Sequence, residues 1–320
     1  MRFSSTFDGA PVTRFVALGA IVGCLTWSGA VQAETLKVGA TQTYKMPSAA
    51  AAVAKNGDTI EIEPGEYFDC AVWNADNLTI TGKGAGVIVT DKTCQGKALF
   101  VIVGSNTTVR NLTLTRAVVP DGNGAGIRAE GANLKIENVQ FIKNQDGILA
   151  ADNAKSTIEI DHSTFNQNGS CPTGQGCAHG IYINHVALLK VTNSTFFESK
   201  DAHHIKTRAI RSEIVGNKIT DGPKGNSSYL IDVPNGGGLV VENNVLEKGP
   251  NTSNHSAAIV IGAEGVTQRT DEIVIKDNKF TNDYSGETRF VRNLTATSAM
   301  LTGNSLSGKV VPLDGDGEVH

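Results

Sequence analysis

Ile136-Glu137-Asn138-Val139-Gln140-Phe141 returns as Ile160-Asp161-His162-Ser163-Thr164-Phe165, and again as Val191-Thr192-Asn193-Ser194-Thr195-Phe196. An apolar residue, a bend residue two places on and a large apolar residue five places on keep that spacing through Ile214-Gly216-Ile219, Val241-Asn243-Leu246, Ile275-Asp277-Phe280 and Leu301-Gly303-Leu306. Asn, Asp and Gly tolerate left-handed backbone and bond locally, so each unit reads as strand, bend, short strand. A further column, Ile127, Ile148, Ile181, Ile205, Ile231, Ile259 and Val291, supplies one more strand ahead of each unit. β-Branched and aromatic residues dominate all three columns, as suits strands. The period of roughly two dozen residues holds from Thr107 to Leu306. Self-similarity of that length is the mark of a solenoid. Stacked coils of this kind give parallel sheets buried on their inner face, an all-β parallel β-helix.

The start of the chain agrees. Met46-Pro47-Ser48 leads into Ala49 to Ala54, a short helix with Pro near its first turn. A solenoid needs a cap over its open end, and this helix can serve. Then follows Asn56-Gly57-Asp58-Thr59-Ile60-Glu61-Ile62-Glu63-Pro64-Gly65-Glu66-Tyr67. The helix, Gly-Asp-Thr-Ile, Pro-Gly-Glu-Tyr and the coils with Asn at the bend and Phe after it resemble the pectate-lyase-like superfamily over roughly residues 36 to 308. That resemblance implies a single-stranded right-handed parallel β-helix with a short N-terminal capping helix. It is far less specific for function, because the superfamily holds lyases, hydrolases, esterases, uronan C5-epimerases, tailspikes and adhesins.

Arg2 and Arg14, the apolar run Phe15 to Trp27 and Val31-Gln32-Ala33 read as a signal peptide over 1–33 cleaved after Ala33. The run is too short to span a bilayer. Ile21-Val22-Gly23-Cys24 resembles a lipobox, and the apolar run continuing past Cys24 ranks that reading second. Residues 34–320 are expected to form one domain, with coils over roughly 58–308 and a polar C-terminal tail. The tail's Asp314-Gly315-Asp316-Gly317-Glu318 has a spacing like a calcium loop, but a solvated tail is the plainer reading. The expected location is the periplasm or the exterior of a bacterium.

Lys and Arg number 28 against 32 Asp and Glu, a balance that argues against nucleic acid as the main partner. Cys70, Cys94, Cys171 and Cys177 remain after cleavage, an even count that reads as two disulfides in an exported chain. Cys171 and Cys177 flank a Gly/Pro-rich loop they would staple. Cys70 and Cys94 lie about one repeat apart and could join stacked coils.

Chemistry concentrates in Asp201-Ala202-His203-His204-Ile205-Lys206-Thr207-Arg208. If the first column points inward, alternation sends its following neighbours outward: Arg128, Leu149, Tyr182, Lys206, Asp232, Val260 and Arg292. Glu130, Asn184 and Arg208 stand in the next outward column. The residue before the first column is also expected outward, so that Gly126, Gly147 and Gly180 would form a trough leading to His204. The loops Asn168 to Ala178 and Lys248 to Ser256, with His255, would wall the groove. In the superfamily this one resembles, such an outer face binds polysaccharide.

β-Elimination of a uronate polymer needs a neutralised carboxylate, a base for the C5 proton and an acid for the leaving oxygen. The reading assigns Lys206 as base, Arg208 and Arg128 as neutralisers, and Tyr182 or His204 as proton donor. Asp232, Glu130, Asn184, His203 and Asp201 are expected to contact substrate. Asp201-Ala202-His203-His204 also resembles the Asp-Pro-His-Asp motif of β-helix mannuronan C5-epimerases, but Pro is missing and His204 stands for the second Asp. A glycoside hydrolase needs two facing carboxylates, and only Asp232 falls at the centre of the expected floor. Calcium-assisted elimination needs a carboxylate cluster that the columns lack, so no metal and no cofactor are expected. A non-catalytic polysaccharide-binding β-helix is the reading from a different class. Against all of these stand plain structural roles: Lys206 with Asp232 as a surface ion pair, and His179 and His203 bonding backbone at a turn.

Overall fold

Three parallel sheets, of twelve, ten and ten strands, carry almost all of the chain. The computed structural model describes residues 1–6, 8–10 and 33–320. The apolar run, Cys24 and most of the cleavage site expected of the leader lie outside the described residues. No helix among the described residues is long and apolar enough to cross a membrane. Residues 33–320 form one unit.

One coil is Ala125–Ala129, then Leu134–Glu137, then Gln140–Ile142, one strand for each sheet. The next coil lies directly on it, and the register follows the sequence columns residue by residue. In the first sheet Ile127 pairs with Ile148, Ile148 with Ile181, Ile181 with Ile205, Ile205 with Ile231, Ile231 with Ile259 and Ile259 with Val291. In the second, Ile136, Ile160, Val191, Ile214, Val241, Ile275 and Leu301 form one line. In the third, Phe141, Phe165, Phe196, Ile219, Leu246, Phe280 and Leu306 do the same. The bends between second and third sheets are left-handed at every expected position: Asn138, His162, Asn193, Gly216, Asn243, Asp277 and Gly303 all have positive φ.

Stacking turns the columns into core. The rings of Phe141, Phe165 and Phe196 lie parallel, 4.7 and 4.4 Å apart, and are fully buried. Phe165→Ala removes the middle ring and leaves a cavity that flanking strands cannot close without losing register. We expect it to cost about 3–5 kcal/mol, read from the denaturant midpoint at unchanged slope. Beside the bends runs a second ladder that composition did not reveal. The Oδ1 of Asn244 accepts the backbone N–H of Asn217 at 2.8 Å, and that of Asn278 accepts the N–H of Asn244 at 3.0 Å. Their Nδ2 groups donate to Ile214 O and Val241 O. Buried amides thus satisfy backbone groups that the corner leaves unpaired.

At the N-terminal end the helix Pro47–Ala51 buries Pro47, Ala50 and Ala51 over the first coil, as the cap expectation requires. Cys70 bonds to Cys94 and Cys171 to Cys177. The C-terminal end differs from expectation. The polar tail stays largely exposed but is paired to the solenoid. Val310–Gly315 pairs with Thr288–Asn293, and Gly317–Val319 with Ala299–Thr302, extending two sheets by one strand each. Both strands lie at the end of their sheets and bury little, so a charged strand at the sheet's edge reads as tail in sequence.

Candidate functional site

The outer face of the first sheet brings Tyr182, Lys206, Arg208 and Asp232 together. Tyr182 stands beside Lys206, and Lys206 beside Asp232, on adjacent strands. The Lys206 ammonium lies 3.1 Å from Asp232 Oδ2 and 2.5 Å from Glu264 Oε1. Arg208 donates through Nε to the Tyr182 hydroxyl at 3.1 Å and contacts Glu264 Oε2 at 2.6 Å. It also donates to Asn235 Oδ1. Both cations sit near the Tyr182 ring, 5.7 and 5.6 Å from its centroid. Lys206 is only 8 % exposed and Asp232 2 %. Their ion pair is therefore buried, where sequence reading allowed a surface one.

Glu264 escaped the sequence reading. It lies in the turn Gly262 to Glu272, which joins the strands Ala257–Ile261 and Ile273–Lys276. The matching turn of an earlier coil is residues 130–133 alone. The long gap between Ile259 and Ile275 was the available signal. Length marks a loop, but nothing periodic says which of its residues points back at the sheet.

Carboxylates here are pushed in opposite directions. Burial raises Asp232 above its ordinary value, with Lys206 partly offsetting it. Burial also acts to raise Glu264, but hydrogen bonds from Lys206 and Arg208 outweigh it and hold that carboxyl below its ordinary value.

Of the two adjacent histidines, only His203 reaches the site. His204 is 0 % exposed. Its Nδ1 meets Ser199 Oγ at 2.9 Å and its Nε2 meets Asp221 Oδ1 at 2.9 Å, both inside the molecule. The groove role read for His204 is thereby corrected. So is the trough. A Cβ on Gly126 would lie 2.7 Å from the Phe141 ring, and one on Gly147 2.7 Å from the Phe165 ring. The chain turns a corner ahead of the first column, and the residue there points to the core. Small residues make room for the phenylalanine stack beneath.

His203 faces the site instead, with Nε2 3.4 Å from Asp232 Oδ2. His179, His203 and Tyr229 stack one per rung, 4.7 and 5.1 Å apart. The Nδ1 of His179 accepts the His203 backbone N–H at 3.1 Å, and that of His203 accepts the Tyr229 N–H at 3.0 Å. Each bond to backbone keeps Nδ1 without a proton and leaves Nε2–H as donor. Burial lowers both rings, His203 to about 3 and His179 well below its ordinary value, with Lys206 adding to the effect on each.

The remaining candidates disperse. Arg128 is three rungs from Lys206, about 14 Å along the sheet, and pairs with Glu130 at 3.8 Å. Glu130 is held more closely by Lys97, at 2.6 Å. Asn184 donates to Ala150 O. Asp201 sits exposed on a left-handed bend beside Asn226. Of the walls, His255 stacks on Tyr284 at 3.9 Å. No group of His, Cys, Asp and Glu able to hold a metal occurs among the described residues.

Comparison with known proteins bears on the fold. Residues 43–196 match the family model described as right handed beta helix region. No curated protein sequence matches the chain. Among solved structures, Geobacillus virus E2 ORF18 is similar at 16 % identity and TM-score 0.48, covering 83 % of this chain and 55 % of its own. The chain thus spans about half of that viral protein. The pectin methylesterase of Aspergillus niger is similar at 12 % identity and TM-score 0.46, covering 90 % and 92 %. Pectin methylesterase PemA of Erwinia chrysanthemi is similar at 9 % and 0.36, covering 87 % and 80 %. Identities this low do not carry chemistry from one solenoid to another. The matched region and the three parallel sheets together make this chain a right-handed parallel β-helix protein.

Proposed function

We propose that the protein is an exported polysaccharide lyase that binds a uronate chain along the outer face of its first sheet and eliminates across C4 and C5. The observation that carries this reading is the convergence of Lys206 and Arg208 on one carboxylate position next to the Tyr182 hydroxyl. A uronate carboxylate held there is neutralised by two cations, which acidifies its C5–H. Lys206 belongs to this grip rather than to the base role, since its ammonium already serves two carboxylates. Tyr182 Oη accepts Arg208 Nε–H and is the hydroxyl at hand for proton transfer. The C5–H and C4–O4 bonds break and C4=C5 forms; Oη takes up the C5 proton as its own hydroxyl proton goes to the departing O4, so Tyr182 ends as it began. Two disulfides suit an oxidising compartment, which supports export.

A second reading has its own observation. Asp232 and Glu264 bind the same ammonium and have their pKa values pushed apart, the pattern of an acid and nucleophile pair in glycoside hydrolysis. Asp232 lies beneath Lys206 and His203, out of reach of a glycosidic oxygen, which ranks this second.

The test is incubation of residues 34–320 with pectate, alginate and glucuronate-containing polymers. A rise in unsaturated-uronate absorbance that disappears in Lys206→Gln is the expected result. New reducing ends without absorbance favour hydrolysis. Neither signal on any polymer overturns both.

A further inference from the structure

Glu264 differs from the strand-borne members of the cluster. Lys206, Arg208, Tyr182 and Asp232 lie on or directly beside strands, while Glu264 comes from a turn. Its side chain is 45 % exposed, against 9 % for Lys206 and 3 % for Asp232. It therefore covers the cations from the solvent side, where a ligand arrives. Each cation has another hydrogen-bond partner. Lys206 already has Asp232, and Arg208 already has Tyr182 and Asn235. Yet one oxygen of Glu264 goes to Lys206 and the other to Arg208, the bridging geometry a bound carboxylate adopts.

We infer that Glu264 is a resident substitute for a substrate carboxylate, seated where an anionic sugar must displace it. This rests on the proposed uronate-binding reading. The main chain of the turn is pinned: Gly262 N donates to Val233 O, Glu264 N to Pro234 O, and Thr267 N and Gln268 N to Asn235 O. Gly262 and Gly265 lie on either side of Glu264 with φ of +84° and +94°. Displacement is thus a rotation of one side chain, with the turn left in place. Glu264 is open to solvent on its outer side, so a uronate that repeats its two contacts and adds those of its sugar ring can replace it. An esterified or neutral sugar brings no charge to exchange and leaves Glu264 in its seat. The contact accordingly selects free uronates over their esters.

Calorimetric titration of galacturonate, mannuronate and glucuronate trisaccharides into wild type, Glu264→Ala and Glu264→Gln tests this, with melting curves to establish folding. The resident carboxylate reduces apparent affinity by the fraction of molecules in which it is seated. At least one trisaccharide is expected to bind Glu264→Ala about tenfold more tightly than wild type, with Glu264→Gln between them. Unchanged or weaker binding by Glu264→Ala, in a wild type that turns over polymer, overturns this inference alone. Loss of turnover with unchanged binding places Glu264 in the chemistry and also overturns it. No binding to any of the three proteins, with no turnover, overturns the uronate reading and this inference with it.

Discussion

Tyr182→Phe is expected to lower turnover of a uronate polymer by about 10²–10⁴-fold, the usual worth of a positioned proton-transfer group, with KM little changed. The substitution removes one oxygen and nothing else. The ring keeps its edge contact with His179 at 5.2 Å and its place beside Lys206 and Arg208. Arg208 keeps Asn235 and Glu264 as acceptors, so the carboxylate grip stays formed. Initial rates of absorbance change, beside a melting curve close to wild type, separate lost chemistry from lost fold. Turnover within a few-fold of wild type would remove Tyr182 from the mechanism and move proton transfer elsewhere on the face.

The second large effect is on stability in acid. His179 and His203 are neutral in the folded chain because burial and their bonds to backbone N–H oppose protonation. In the unfolded chain they take up protons near pH 6.5. The unfolded state then binds more protons than the folded state, so stability is fully present above about pH 6.5 and falls as pH drops toward about 3. Each ring contributes up to about 1.4 kcal/mol per pH unit across its window. Asp146 and Asp232, raised by burial, take up protons earlier when folded and oppose the loss at its acid end. The fall is therefore expected to be steepest about one pH unit below 6.5, once the imidazoles of the unfolded chain are nearly all protonated. Urea midpoints at pH 7.5, 6.0 and 5.0 measure it. A flat profile in wild type would show that the two imidazoles protonate in place.

What could be read from sequence divides along a physical line. The three columns and their bends repeat because each coil solves one packing problem against its neighbours, so Ile205, Ile214 and Ile219 announce their positions from their spacing. The outward row Tyr182, Lys206, Asp232 follows by alternation alone. His204 was misplaced because alternation fails at a corner, where the chain turns and consecutive residues can both face inward. The glycines at 126, 147 and 180 were the sign of that corner, read instead as open space. Glu264 and Asn235 were invisible for another reason. Turns have no period, and a side chain reaching back from one answers to the sheet it meets, which a single coil's sequence does not contain. The pairings Cys70–Cys94 and Cys171–Cys177 were legible because short separations leave few alternatives.

One property of the first sheet sets how this site can change over evolutionary time. Tyr182, Lys206 and Asp232 occupy consecutive rungs of a lattice whose step, about 4.8 Å, is fixed by backbone hydrogen bonds. Substitution can exchange the group on a rung, and duplication or deletion of a coil can move a group by whole steps, but no mutation within a strand can shift one by half a step. Fine adjustment is left to the turns. Glu264 is the member of the cluster whose reach depends on loop length, so divergence between proteins built on this plan is expected to fall first in the segment from Gly262 to Glu272, with the strand residues beneath behaving as all-or-nothing characters.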